Sequence, residues 1–387
     1  MSPRRFQPPS YVLGAALSVG ALVVAGCGGD EGATADYDSA EAVPAVIPVS
    51  SFFDNPEIAG AQISPDGEWL SYLKAYQGKL NVFARRVGAE DEIQLTADTE
   101  RPVTGYFWSI DASKILYVQD RGGNENFHVY ALPVDGTSTP EARDLTPYDG
   151  ARAQIFAVPE ETPNRIFIGM NQRNPQLMDG YWLDLDTGDM TLVAENPGRH
   201  LGYMLDHDQK ARVAVGQNMG GGTDIFARDT EDAQWRTIAS YPADENVNPI
   251  QFDKDNQRIY VSSDHGETDL QQLVLMDIAT GETEVVERDP LGEVDFGNAV
   301  FSGKTDELIA TVYQGDKTRI YFKDPEWERD FEKIEQLHDG FPGINGSTLD
   351  ERKFMVSFND PTDPGATYLF DRDSGEAEFL FRPRPWL

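Results

Sequence analysis

The feature that most constrains the fold of this 387-residue chain is a repeat, in which a short strand-forming run returns seven times. Successive runs are separated by 45, 51, 47, 46, 49 and 46 residues. Repeats of this length that contain only strands are typical of propeller blades. One apolar residue marks each run: Leu70, Ile115, Ile166, Val213, Ile259, Leu308 and Phe354.

An acidic turn precedes most of these runs. In five blades an aspartate stands four or five residues before the marker, where we expect its side chain to bond the local backbone and start a tight turn. Blades 3 and 6 depart from this pattern, with Glu160-Glu161-Thr162-Pro163 and Lys304-Thr305-Asp306 in its place. The aspartates of the five regular turns are Asp66, Asp111, Asp208, Asp255 and Asp350.

A second turn recurs one strand later and places glycine where a hairpin needs positive φ. We predict that these turns join the third and fourth strands of their blades. They are Asp186-Thr187-Gly188-Asp189, Ala279-Thr280-Gly281-Glu282 and Asp373-Ser374-Gly375-Glu376.

The body of the chain, residues 59–382, shows no sustained apolar period of 3.6, so helix is predicted to be scarce there. We therefore predict an all-β fold, a seven-bladed β-propeller of four-stranded blades that occupies this range. The alternative is a large β-sandwich, which would not need equal spacing of the repeats.

The N-terminus follows the three-part plan of a secretory signal: basic Arg4 and Arg5, an apolar stretch from Tyr11 to Val24, and Ala25-Gly26-Cys27. This ending resembles the bacterial lipoprotein signal, in which the cysteine is lipidated and becomes the new N-terminus. Because the chain has one cysteine, it can form no internal disulfide. An ordinary signal peptide or a single membrane anchor is the alternative, although the apolar stretch is short for a bilayer span.

These features divide the N-terminal region into a lipoprotein signal peptide, residues 1–26, and a flexible acidic tether, residues 27–47. Lipid on Cys27 would attach the protein to a membrane. Gly28, rather than Asp, follows the cysteine. By the sorting rule of bacteria with two membranes, the predicted location is the periplasmic face of the outer membrane or the cell envelope.

The charge balance excludes some partners. The chain has 66 acidic and 32 basic residues, a formal net charge of −34, and the acids are spread over every blade. Such a surface repels nucleic acid and anionic lipid head groups, so we expect no nucleic-acid partner. The acidity is explained either by attraction of cationic peptides or by adaptation to high salt, and its even spread favours the second.

Several segments of blades 1 and 2 together resemble the N-terminal half of serine peptidases of the prolyl oligopeptidase family, in the branch of the dipeptidyl and acylaminoacyl peptidases. Their order and spacing are more specific than any single segment. They are Ile47 to Pro56, Ile63 to Gly67, Gly105 to Trp108, Ile115 to Asp120 and Asn124 to Tyr130.

The resemblance implies a peptide substrate and an α/β-hydrolase domain that carries the catalytic Ser, Asp and His. Residues 48–58 would lead into the propeller, and residues 383–387 would begin the linker to that domain. The nucleophile motif Gly-x-Ser-x-Gly is missing from this sequence, and its nearest approach, Ala16-Leu17-Ser18-Val19-Gly20, lacks the first glycine. We therefore predict no catalytic residue and no catalysis from this chain alone.

No cofactor or metal site is predicted either. Ser302-Gly303-Lys304-Thr305 lacks the properly spaced earlier glycine of a phosphate-binding loop, and Asp184 to Asp189 lacks the terminal glutamate of a calcium loop. The histidines are too dispersed for a zinc site. They are His128, His200, His207, His265 and His338.

One loop is a candidate binding site. Asp120-Arg121-Gly122-Gly123-Asn124-Glu125-Asn126 carries charges of both signs beside two glycines. In the family that the chain resembles, blade loops that face the catalytic domain line the active-site chamber, and carboxylates there bind the substrate's N-terminal amine. The resemblance makes Glu125 the candidate for that contact and Arg121 the candidate for a substrate carbonyl or an interdomain ion pair. A solvated hairpin is the alternative.

Two functional classes follow. The chain is either the substrate-gating and docking propeller of an exported serine peptidase, or a stand-alone periplasmic lipoprotein propeller that acts as a binding scaffold. In the first class, apolar residues at the two chain ends would face the catalytic domain, so we predict that Phe52, Phe53, Pro383, Pro385 and Trp386 are exposed or loosely packed.

Overall fold

The structure is a computed structural model that describes residues 46–266 and 268–387. The predicted signal peptide and the lipidation site Cys27 lie outside the described residues, as does nearly all of the predicted tether. Among the described residues no helix is long and apolar enough to cross a membrane.

The described residues form a seven-bladed β-propeller, as the repeat predicted. Consecutive strands pair antiparallel within each blade, in the order in which they occur along the chain. Blade 1 contains β1 Ala59–Ile63, β2 Trp69–Tyr76, β3 Lys79–Arg86 and β4 Glu92–Gln94. Blade 2 contains β5 Tyr106–Trp108, β6 Lys114–Gln119, β7 His128–Pro133 and β8 Arg143–Asp144. Blade 3 contains β9 Ala153–Ala157, β10 Arg165–Asn174, β11 Leu177–Asp184 and β12 Met190–Ala194.

The remaining blades follow the same plan. Blade 4 contains β13 His200–Leu205, β14 Ala211–Gln217, β15 Thr223–Ala227 and β16 Arg236–Ser240. Blade 5 contains β17 Val247–Phe252, β18 Arg258–Ser263, β19 Gln272–Asp277 and β20 Thr283–Glu287. Blade 6 contains β21 Phe296–Phe301, β22 Leu308–Gln314 and β23 Thr318–Phe322. Blade 7 contains β24 Phe341–Ser347, β25 Lys353–Asn359, β26 Thr367–Asp371 and β27 Glu376–Phe381.

The sequence markers fall at equivalent places in this architecture. All seven lie in the second strand of their blades, and the three glycine turns join third to fourth strands as predicted. In blades 1, 2 and 7 the predicted aspartates bond the first turn, as where Asp66 Oδ1 accepts from the backbone N–H of Glu68 at 3.0 Å. In blades 4 and 5, however, the carboxylates that do so are Asp206 and Asp253, two residues earlier than predicted. They accept from the backbone at the position where blades 1, 2, 6 and 7 have Ser or Thr.

Helix is scarce in the described body of the chain, as predicted, although the sequence did not indicate the one helix found there. Helix α2, Pro325–Ile334, follows β23 in blade 6, whose sheet has three strands in the described structure. Asp324 caps it by accepting from the backbone N–H of Trp327 at 3.1 Å, and Pro325 occupies the first helical position. The helix buries Phe331 and Ile334 between blades 6 and 7. Trp327, Phe331 and Ile334 stand at helical spacing, but three apolar positions within ten residues are too short a run to show a sustained period. A second helix, α1 Ser50–Phe53, precedes the propeller.

The hydrophobic core is divided among the interfaces between neighbouring blades. In the described residues seven apolar clusters occur, one for each adjacent pair, and the ring closes where Ile63 and Leu70 of blade 1 pack with Met355 and Leu369 of blade 7. First strands of neighbouring blades approach one another, as β1 and β24 do. The first strands therefore surround the central channel, and the fourth strands form the outer rim.

Antiparallel pairing assigns every connection to one of two faces. The first-to-second and third-to-fourth turns lie on one face. The second-to-third turns, the links between blades and both chain ends of the propeller lie on the other, which we call the terminal face.

Candidate functional site

The predicted binding loop, residues 120–126, joins β6 to β7 and therefore lies on the terminal face. Asp120 anchors this loop and is only 4% exposed. Its Oδ1 accepts from Arg101 Nη2 at 2.8 Å and from Arg101 Nε at 3.1 Å. Arg101 belongs to the link between blades 1 and 2, so this ion pair ties the loop to the neighbouring blade.

The second oxygen of Asp120 sets the position of Glu125. Oδ2 accepts from the backbone N–H of Glu125 at 3.0 Å. Burial opposes the charge of Asp120, but the Glu125 N–H and the Arg101 guanidinium outweigh burial and lower the pKa of Asp120. The anchor therefore stays ionised and holds the loop backbone at neutral pH.

The loop backbone adopts an uncommon conformation at Glu125, where φ is +59°. A left-handed φ is costly for a residue with a Cβ, and it persists where surrounding contacts hold it. Here the Asp120 carboxylate holds it on one side, and Asn124 Oδ1, which accepts from the backbone N–H of Asn126 at 3.0 Å, does so on the other. Glu125 is exposed, and within the described residues its carboxylate makes no hydrogen bond or ion pair.

Arg121 has a different environment from Glu125. Its Nη2 lies 3.1 Å from Asp144 Oδ2, and its Nε donates to Tyr130 Oη at 3.3 Å. Asp144 Oδ2 also contacts His128 Nδ1 at 2.8 Å. The arginine thus has an ion pair within its own blade, although 69% of its side chain remains exposed. This network could not be predicted from the sequence, because Asp144 and Tyr130 lie in strands outside the loop and carry no local motif.

The two ends of the described chain meet on the terminal face. The backbone N–H of Glu57 donates to Pro383 O at 2.9 Å, and Trp386 Nε1 donates to Ser51 O at 2.8 Å. Phe52, Phe53 and Trp386 are 52%, 82% and 44% exposed and Pro385 is exposed, as predicted, whereas Pro383 is half-buried. Other exposed apolar residues at these ends are Val46, Ile47, Val49 and Leu387, and we call the exposed apolar residues of both ends the apolar patch.

A cleft of about 780 Å³ opens on the same face between blades 5 and 6. Its lining mixes a guanidinium with carboxylates, since it includes Arg288, Asp289 and Glu293. The terminal face therefore combines an exposed carboxylate, exposed arginines, a cleft and an apolar patch beside both chain ends. Such an arrangement can bind and orient a charged ligand, and it can pack against another domain.

Two curated relatives resemble most of the chain. Dipeptidyl aminopeptidase BIII of Pseudoxanthomonas mexicana is 32% identical over 347 residues, which cover 88% of this chain and 49% of that protein. Dipeptidyl peptidase family member 6 of Caenorhabditis elegans is 24% identical over 356 residues, which cover 88% of this chain and 48% of that protein. The chain thus spans about half the length of these relatives. No protein-family model matches it.

Solved structures show the same fold at low sequence identity. A prolyl endopeptidase gives a TM-score of 0.56 at 15% identity and covers 85% of this chain and 50% of that one. A Mycobacterium tuberculosis puromycin-hydrolyzing peptidase gives a TM-score of 0.55 at 13% identity and covers 86% of this chain and 53% of that one.

Proposed function

Because this chain matches the N-terminal propeller domain of prolyl oligopeptidase family peptidases, we propose that it is the substrate-gating and docking module of an exported serine peptidase of that family. The observation that carries the proposal is the terminal face, where both chain ends, an exposed apolar patch and an exposed carboxylate lie together. An α/β-hydrolase domain joined after residue 387 would pack against this face and enclose the loop 120–126.

Peptide binding is assigned to that loop. Glu125 offers a carboxylate without a partner in the described structure, on a backbone that Asp120 holds in place, so the charge is pre-positioned for a cation. The N-terminal ammonium of a peptide is such a cation. Arg121 is held by Asp144, so it serves better as a fixed donor to a peptide carbonyl than as a mobile partner of the other domain.

Export and attachment through lipid on Cys27 are part of the same proposal. They are supported by the order of basic, apolar and small residues up to Cys27 and by the acidic segment that follows. A peptidase of this kind would act on peptides outside the cytoplasm, held at the membrane by a flexible tether. Mass spectrometry of the processed N-terminus would test this, since an unmodified Cys27 would contradict it.

The reading frame beyond codon 387 decides between the two functional classes. The peptidase proposal expects a further segment of similar length that contains Gly-x-Ser-x-Gly. A frame that stops at codon 387 would instead support the stand-alone scaffold.

In the peptidase, Glu125→Gln tests the binding assignment, because it removes one charge and preserves the shape of the side chain. A charge-assisted hydrogen bond contributes roughly 1.5 to 3 kcal/mol, so we expect kcat/KM for peptides with a free N-terminus to fall about ten- to a hundredfold. N-acylated peptides should be cleaved at nearly the original rate.

The matched control is Glu100→Gln, which changes the same charge at an exposed position of the same face. It should leave both substrates unaffected. Equal losses on free and blocked peptides for the Glu125 variant, with an unchanged melting temperature, would show that Glu125 does not bind the amine.

A further inference from the structure

The first turn of blade 3 is longer than its counterparts. Residues 158–164 separate β9 from β10, whereas the equivalent turns of blades 1, 2, 4, 5 and 7 have two residues fewer. Because first strands surround the channel, this turn lies at the channel mouth on the face opposite the terminal face. The unusual acidic sequence of blade 3 therefore sits where seven turns converge.

Two glutamates of this turn reach other blades. Glu161 Oε2 accepts from Gln209 Nε2 of blade 4 at 2.6 Å. Glu160 extends to blade 6, which is not a neighbour of blade 3: a Cβ atom placed on Gly303 would lie only 3.1 Å from Glu160 Oε1. The same position would lie 3.9 Å from Glu351 Oε1 of blade 7. The turn thus extends over the mouth, and the Glu160 carboxylate lies near the Glu351 carboxylate on the far side.

The groups opposite Glu160 are held in place. Glu351, only 9% exposed, accepts from Ser302 Oγ at 2.9 and 3.0 Å. Asp306 of blade 6 lies 3.2 Å from His207 Nδ1 of blade 4. We call Glu160, Glu161, Asp306 and Glu351 the mouth cluster.

The mouth cluster contains more negative charge than its surroundings neutralise. Partial desolvation by the surrounding turns, followed by repulsion from Glu161, Glu351 and Asp306, raises the pKa of Glu160 to about 7. Desolvation and Glu161 also raise the pKa of Asp306, against the attraction of His207. In the described residues no three such side chains are arranged to hold a metal ion. The mouth cluster is therefore a set of like charges that repel one another.

We propose that the blade 3 turn, residues 158–164, is a pH-sensitive plug over this channel mouth, which is closed while Glu160 is protonated and loosens when Glu160 becomes a carboxylate. Loosening would open the channel at the end remote from the chain termini. The plug depends only on contacts within the propeller, so it stands independently of the peptidase proposal.

The size of the effect follows from proton linkage. If Glu160 has a pKa of about 7 in the closed plug and its ordinary value of 4.5 when released, raising the pH from 6 to 8 shifts the equilibrium about tenfold toward the open form. Tenfold is the upper bound, because Glu160 is exposed and solvent screens its charge.

Hydrogen–deuterium exchange of the purified chain tests the plug. Peptides that contain residues 158–164 should exchange several-fold faster at pH 8 than at pH 6, after correction for the intrinsic rate. Glu160→Gln should abolish this increase, because the amide is neutral at both pH values. Sodium chloride at 1 M should suppress the increase in the original protein, since it shortens the screening length to about 3 Å.

Two further variants complete the test. Glu161→Gln keeps an acceptor for Gln209 but removes one repelling charge, so the midpoint of the pH response should move to lower pH. Glu141→Gln, at an exposed position on the same face between β7 and β8, should respond as the original protein does. Exchange at 158–164 that is independent of pH, or that rises equally in Glu160→Gln, would overturn the proposal.

Discussion

Carboxylate pKa values shift in opposite directions on the terminal face and at the channel mouth on the opposite face. On the terminal face, Asp120 is paired with Arg101 and Asp289 with Arg319, and hydrogen bonds and these arginines lower both aspartate pKa values against the effect of burial. At the mouth, exposed Glu160 faces other carboxylates, and partial desolvation by the surrounding turns and repulsion raise its pKa.

This difference depends on where the few cations of a very acidic chain lie in the fold. With 32 basic residues for 66 acids, there are too few cations to give every carboxylate an ion-pair partner of its own. On the terminal face arginines fix the loops around the candidate binding site, so its geometry changes little with pH near neutrality. At the mouth the carboxylates repel one another. Protonation or added salt weakens this repulsion, so we expect the local structure there to depend on pH and salt.

The strongest way to break this comparison is to remove a paired carboxylate. Asp120→Asn should lower the free energy of unfolding by about 2 to 3 kcal/mol, because it leaves Arg101 unpaired and weakens the hold on Glu125. Urea unfolding at pH 7 measures this. Asp208→Asn, on the opposite face with exposed Lys210 at 3.4 Å, is the control and should change stability by less than about 0.5 kcal/mol. Equal losses in the two variants would refute the distinction.

A buried histidine, His200, gives a third contribution to the pH dependence of stability. His200 lies between blades 3 and 4, with ring centroids of Phe226 and Trp235 at 4.6 and 5.1 Å. Neither ring nitrogen has a hydrogen-bond partner in the described structure. Burial, followed by the charges of Arg199 and Arg228, lowers the pKa of His200 to about 4.

This histidine predicts acid sensitivity, opposite in sign to the mouth cluster. The unfolded chain takes up the proton near pH 6.5 and the folded chain only near pH 4, so stability is lost as the pH falls between these values. The loss at pH 5 relative to pH 8 should be about 2 kcal/mol. His200→Phe should remove that part of the slope in urea unfolding at the two pH values. An unchanged slope would mean that His200 does not control it.

The smallest expected effect is at the mouth itself. Because the pKa of Glu160 is raised by folding, its contribution to stability is present at low pH and lost as the pH rises through about 7. Glu160→Gln should therefore raise the free energy of unfolding at pH 8 by less than about 1 kcal/mol, since the side chain is solvent-accessible. At pH 5 it should have almost no effect. Destabilisation at both pH values would indicate that Glu160 forms a stabilising contact and is not repelled by the neighbouring carboxylates.

Much of the fold was predictable because its information is local. The spacing of apolar runs predicted seven blades, and Gly188, Gly281 and Gly375 predicted the hairpins between third and fourth strands. The helix Pro325–Ile334 was not predicted because its apolar spacing extends over only ten residues, too few for a sustained period. The closing carboxylates of blades 4 and 5 were misassigned by two residues, because an acidic turn offers several equivalent aspartates.

The candidate site was only partly predictable. Mixed charges and glycines singled out the loop 120–126, and the family resemblance implied roles for Glu125 and Arg121. Arg101 and Asp144, however, lie 24 and 23 residues away in sequence from Glu125 and Arg121 respectively. Their roles depend on pairs between separate strands, which no local pattern encodes.

The sequence by itself determined the strand repeat, the turns and the excess of negative charge, because each of these depends on neighbouring residues and on composition. Only the tertiary structure decided which carboxylates are paired with arginines and which repel one another. Closing seven blades into a ring brings the blade 3 turn within reach of blades 6 and 7 and places Arg101 on Asp120. Electrostatic interactions weaken with distance in space, so the charges that matter at each site are its spatial neighbours. The closed ring decides which charges become neighbours, and therefore whether a carboxylate is attracted or repelled there.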